Sequence, residues 1–114
     1  MRDMILIGPI HLDVLRCEVG TPDKTAHLTP LEIWLLRYLA EHVNTTCSVS
    51  QISSYMWGDA DYVGAIGIIK VLIHHIQEKV EPDPMHPTYL LFLPGEGYKL
   101  VIHDQEPRLQ TEPG

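Results

Sequence analysis

The chain begins with short apolar runs and then changes period. Ile5-Leu6-Ile7, Ile10-His11-Leu12, Val14 to Val19 and Ala26-His27-Leu28 are β-type segments, punctuated by Gly8-Pro9 and Gly20-Thr21-Pro22-Asp23. They predict a small antiparallel sheet. At Thr29-Pro30 the spacing becomes helical. A Thr N-cap accepts hydrogen bonds from orphan N–H groups, Pro suits the first helical position, and Glu32 three residues on completes a capping box. Leu31, Leu35, Leu36, Leu39 and Val43 then recur at helical intervals, and the pattern stops over Asn44 to Ser48. Ser48 or Ser50 can cap a shorter second helix carrying Ile52, Tyr55, Met56 and Trp57, broken by Gly58-Asp59.

After a loop through Tyr62, a third helix is expected from about Val63 to Val80, with Ile69, Ile73, Ile76 and Val80 as its inward stripe. Glu81-Pro82-Asp83-Pro84 ends it, because each proline bars the residue before it from α geometry. Thr88 to Leu93 and Tyr98 to Ile102 read as two strands joined by a turn over Pro94 to Gly97. Residues 1–4 are expected to be a linker edge, 5–102 one domain, and 103–114 a flexible tail. The order is therefore sheet, three helices, hairpin: an α+β fold.

Composition narrows the function. No apolar run reaches the roughly 18 residues of a membrane span, and the N-terminal apolar stretch is too short for a secretion signal, so the expectation is a cytoplasmic protein with no membrane partner. Cys17 and Cys47 lack CxxC spacing and read as reduced thiols. The seven histidines form no HxH or HxxxH pair, and adjacent His74 and His75 diverge by about 100° on a helix, so neither metal nor cofactor is expected. There is no phosphate loop, no HExxH and no nucleophile–base pair, so the chain is not expected to be an enzyme. The net charge is −7, and residues 24–102 carry five Lys/Arg against eight Asp/Glu. Nucleic-acid binders need a local basic face rather than a basic total.

In order and spacing, the motifs resemble the C-terminal DNA-binding domain of the OmpR/PhoB response regulators of two-component systems. The resemblance is carried by Leu28-Thr29-Pro30-Leu31-Glu32 with Leu35-Leu36 and Leu39-Ala40, and by Val49-Ser50 with Ile52 and Met56-Trp57-Gly58. Val71, Ile73 and Ile76, then Lys79-Val80 and Glu81-Pro82-Asp83-Pro84, continue it. Pro87 with Tyr89-Leu90 and Gly95-Glu96-Gly97-Tyr98-Lys99-Leu100 complete it, over roughly Ile5 to Ile102. The implied fold is a winged helix-turn-helix with an N-terminal antiparallel sheet and a C-terminal hairpin wing.

The resemblance implies a transcription regulator's effector domain. Its third helix would enter the major groove of promoter DNA, with the wing on the adjacent minor groove or backbone. Direct-repeat half-sites, a homodimer in the full-length regulator and contact with RNA polymerase through a loop holding Asp59 and Asp61 are also implied. A receiver domain ahead of residue 1 is usual in the family. The implied DNA-binding set is Gly67, Lys70, Val71, His74, His75, Gln77 and Lys79 on the third helix, with Trp57, Gly95 and Tyr98 near the backbone. The family's usual arginines are replaced here by Gly67, His75 and Gln77 on the helix and by Pro94 in the wing, an atypical recognition helix.

Residue chemistry supports part of that set. Lys and His can donate to phosphates, Gln can pair with adenine, and Val can touch a thymine methyl. Histidine ordinarily titrates between pH 5 and 8, so affinity carried by His74 and His75 is expected to weaken from about pH 6 to pH 8. The bland readings are solvated charge for Lys70 and Lys79, core packing for Trp57 and simple turn geometry for Gly95. A different function stays open: Ile66, Ile68 and Val71 could form an apolar patch on a winged-helix protein-interaction module that has lost sequence-specific DNA binding.

Overall fold

A computed structural model describes residues 4–102. The expected linker edge therefore falls outside the described residues except for Met4, and the expected tail falls outside them entirely. The elements run β1 (Met4–Ile7), β2 (Ile10–Asp13), β3 (Glu18–Gly20), β4 (Thr25–His27), α1 (Pro30–Glu41), α2 (Val49–Trp57), α3 (Ala65–Val80), β5 (Leu90–Leu93) and β6 (Gly97–Leu100). β1 to β4 form an antiparallel meander in chain order, and β5–β6 is a separate hairpin. This is a winged-helix architecture.

The helix caps form as the sequence requires. Thr29 and Glu32 make a reciprocal capping box on α1, and Ser48, rather than Ser50, makes one with Gln51 on α2. Gly58 ends α2 in the left-handed region at φ 71°, where a residue without Cβ meets no steric penalty.

Two strand expectations change. The predicted run Val14 to Val19 is a turn followed by a three-residue strand. Arg16 N–H donates to Asp13 Oδ1, Cys17 N–H donates to the Val14 carbonyl, and Cys17 sits at φ 53°, so the chain reverses where the apolar pattern suggests extension. The strand expected from Thr88 starts its hairpin ladder only at Leu90. The Glu81 carboxylate takes the N–H groups of Thr88, Tyr89 and Leu90, and local side-chain acceptors displace ladder partners. Leu31, expected on the inward face of α1, is exposed, and Ile33 is buried instead.

One core joins these elements. Leu35, Leu36 and Leu39 of α1 pack with Ile52 and Met56 of α2 and with Leu12 and Val19 of the sheet. The expected α3 stripe of Ile69, Ile73, Ile76 and Val80 is buried in it, together with Leu72. Leu90, Tyr98, Leu100 and Ile102 close it from the hairpin side. Asn44 ties the end of α1 to the returning strand through bonds to the Leu100 and Ile102 backbones.

Candidate nucleic-acid interface

α3 emerges from a short acidic loop. Trp57, at the end of α2, stacks on Tyr62 with ring centroids 4.6 Å apart and planes 12° apart. Trp57 is half-buried and packs against the core. In the loop, Asp61 N–H donates to Asp59 Oδ1 at 2.9 Å and the Ser53 hydroxyl donates to the Asp59 carbonyl. Both acidic side chains are exposed. Gly64, at φ 84°, caps α3 without a side-chain bond.

With its stripe buried, α3 turns a second face outward. Steps of 100° place Gly67, Lys70, Val71, His74 and Glu78 along it. Ile66 flanks this face on the wing side at 71% exposed, and Ile68 flanks the other side. Nothing lies within 4 Å of where a Gly67 Cβ would stand, so this part of the helix backbone is open to approach. His74 Nε2 lies 3.2 Å from Glu78 Oε2 in an exposed pair. Between α3 and the hairpin runs a groove of about 390 Å³ whose lining includes Ile66, Lys70, His74, Phe92 and Tyr98.

The hairpin is pinned against the start of α2. Tyr98 N–H donates to the Cys47 carbonyl at 2.9 Å, and Cys47 N–H donates back to the Tyr98 carbonyl at 2.8 Å. A Cβ on Gly97 would overlap that Cys47 carbonyl, so only glycine permits the approach. Gly95, at φ 78°, supplies the exposed tip, with Glu96 beside it. Tyr98 is itself buried, and burial pushes its phenol above the ordinary value. Phe92 and Ser50 share a depression between the wing and the start of α2. Neither was marked as a site residue by the sequence, because only the folded chain brings them together.

The remaining polar residues of α3 turn toward the protein. Gln77 Nε2 donates to the Leu90 carbonyl at 2.9 Å. Lys79 Nζ donates to Glu32 Oε1 at 2.9 Å, and His75 Nδ1 lies 3.4 Å from Glu32 Oε2. Glu32 is 2% exposed. Burial raises the Glu32 carboxyl, but bonds from Lys79 and from the Thr29 N–H, with the charges of Lys79 and His75, outweigh it and hold it below the ordinary glutamate range. Glu81, fully buried, accepts from the Thr88, Tyr89 and Leu90 N–H groups and from the Thr88 hydroxyl. The sequence marks Glu32 and Glu81 only as a cap and a helix stop. Their wider roles depend on partners distant along the chain.

The expected site thus divides in two. Gly67, Lys70, Val71 and His74 share an open face, with Gly95 at the neighbouring wing tip and Tyr98 in the groove between them. His75, Gln77 and Lys79 are engaged with Glu32 and Leu90, and Trp57 stacks on Tyr62 in the loop ahead of α3.

A family described as "Transcriptional regulatory protein, C terminal" matches residues 23–100. Sensory transduction protein RegX3 of Mycobacterium tuberculosis is 36% identical over 101 residues, which are 88% of this chain and 44% of that protein. The chain therefore spans less than half the length of the curated relatives it matches. Among solved structures, the C-terminal effector domain of BfmR from Acinetobacter baumannii superposes with a TM-score of 0.65 at 25% identity, covering 89% of this chain and 92% of that one. The DNA-binding domain of RstA from Klebsiella pneumoniae, solved in complex with the RstA box, has the same fold at a TM-score of 0.75. It is 19% identical, with 90% of this chain and all of the other covered.

Proposed function

The chain belongs to the transcriptional regulatory protein C-terminal family, the winged-helix DNA-binding effector domains of OmpR/PhoB type, and from that premise we propose that it binds promoter DNA with α3 in the major groove and the β5–β6 wing on the adjacent minor groove or backbone. This is a family of regulators and not of enzymes. The observation that carries the reading is the open face of α3, with Gly67, Lys70, Val71 and His74 outward and the wing beside it. That the RstA domain was solved on its own DNA box supports it.

Within this reading the recognition helix is atypical, because α3 holds no arginine. Lys70 and His74 donate to phosphates or guanine edges, Gly67 lets the backbone approach, and Val71 meets base edges directly. Tyr98, Gly95 and Trp57 flank the phosphate backbone. His75, Gln77 and Lys79 act by holding α3 and the wing in place, since their polar atoms already serve Glu32 and Leu90. The exposed Asp59 and Asp61 offer RNA polymerase a basic-surface contact. The longer regulator dimerises in the cytoplasm on direct-repeat half-sites.

Salt dependence tests the reading. Binding of genomic fragments, followed by fluorescence anisotropy, should weaken as salt rises, because each neutralised phosphate releases counterions. Lys70→Ala should weaken binding severalfold at low salt and reduce the slope of log K on log salt by about 1. An unchanged slope would remove Lys70 from the interface. A chain that retains no fragment at any salt would instead favour the protein-interaction reading, which the exposed Ile66 and Val71 support.

A further inference from the structure

The first two turns of α3 present apolar surface where a groove-reading helix needs base contacts. A recognition helix meets base edges chiefly with its N-terminal residues. Here those residues are Ile66, Gly67, Ile68 and Val71, with Lys70 the one cation among them. Ile66 is 71% exposed, Val71 52% and Ile68 37%, whereas Ile69, Leu72, Ile73, Ile76 and Val80 of the same helix are buried. Around Gly67 lies a shallow depression of about 500 Å³ lined by Gly64, Gly67, Ile68, Val71 and Leu72, with almost no polar surface.

Only one apolar group projects into the major groove, the C5-methyl of thymine. The other groove-facing features are donors and acceptors, and covering those with valine or isoleucine leaves them desolvated and unpaired. We infer that this domain selects thymine by its methyl groups, with Val71 and Ile68, which line the notch at Gly67, as the residues that read them. The inference rests on the DNA-binding reading above. Lys70, exposed on the same face and in no ion pair among the described residues, favours a nucleic-acid occupant over an apolar protein surface. The stretch from Gly67 to His74 rises about 10 Å, which spans about three base pairs. The methyl-sensitive positions should therefore fall within one such step of each half-site.

The test compares two versions of one duplex. A duplex recovered from a random-sequence pool by selection on this chain at low salt is remade with deoxyuridine in place of thymidine. The change removes the methyl groups and keeps every donor, acceptor and phosphate. Affinity should fall about three- to fourfold for each methyl that the helix buries. Val71→Ala, on an exposed position whose fold is checked by circular dichroism, should bind the thymidine duplex more weakly and discriminate less between the two versions. Lys70→Ala should weaken both versions and keep their ratio. Equal affinity of the parent chain for the two versions, or an unchanged ratio in Val71→Ala, overturns methyl reading and leaves the DNA-binding reading standing. Failure to recover any duplex overturns both.

Discussion

The two ends of α3 have similar buried stripes and opposite outward chemistry. From Ile66 to Val71 the residues off the stripe are mostly apolar or glycine, and they contact little of the protein. From His75 to Glu81 they are polar, and most are tied to other elements: Gln77 to the wing, His75 and Lys79 to α1, Glu81 to the chain that leads into the wing. Glu78, paired with His74, faces solvent there, and the His75 side chain stays 49% exposed beside its contact with Glu32. Polar residues on a helix are therefore a poor count of what it offers a ligand. Lys79 is neutralised by a buried carboxylate, whereas Lys70, about two and a half turns earlier, is exposed. The open face of α3 is even less basic than composition suggests, and the end of α3 that looks richest in donors is the end most tied to other elements.

Three substitutions would break or sharpen this contrast. The largest effect is expected at Glu81. Replacing it with alanine removes the acceptor of the Thr88, Tyr89 and Leu90 N–H groups, of which that of buried Leu90 has least access to water; a charge-assisted bond is worth about 1.5–3 kcal/mol. Urea unfolding should show a loss of at least about 3 kcal/mol, and a loss below 1 would mean that water replaces the carboxylate.

A smaller effect is expected at Lys79. Alanine there removes the main cation beside Glu32 and should cost about 1–2 kcal/mol near neutral pH. The Glu32 carboxyl stands below the ordinary glutamate value of 4.5 in the folded chain. Its contribution is thus complete above that value and is lost as acidification protonates it. Parent stability should fall as pH drops below about 4.5, and Lys79→Ala should show a shallower fall. Identical acid profiles for the two chains would show that Thr29 and His75 alone hold the carboxylate.

The smallest effect, of opposite sign, is expected at Gly67. A Cβ there meets nothing, so Gly67→Ala should stabilise α3 by up to about 1 kcal/mol in thermal unfolding. DNA affinity should fall at the same time, because the added methyl fills the notch. Improved stability with unchanged affinity would place the duplex elsewhere on α3.

Much of the frame was legible in the chain. The Thr29–Glu32 cap, a serine cap on α2, the α3 stripe, the proline-rich stop and the glycine-tipped hairpin all rest on interactions within about four residues or on a repeating period. Those are set by backbone geometry and side-chain shape, which a sequence displays directly. The turn at Val14 to Cys17 was missed because Asp13 competes for the backbone in a way that apolar spacing does not register.

The division of the interface was not legible. Glu32 meets Lys79 across 47 positions of chain, and Gln77 meets Leu90 across 13. Which of several donors on one helix is left free depends on which carboxylates and carbonyls the packed core brings against it. A buried acceptor must be satisfied, and tertiary structure decides by whom. The sequence by itself determined that a long amphipathic helix is followed by a proline-rich stop and a glycine-tipped hairpin. Only the folded chain decided that Lys70 faces outward while Lys79, His75 and Gln77 turn back.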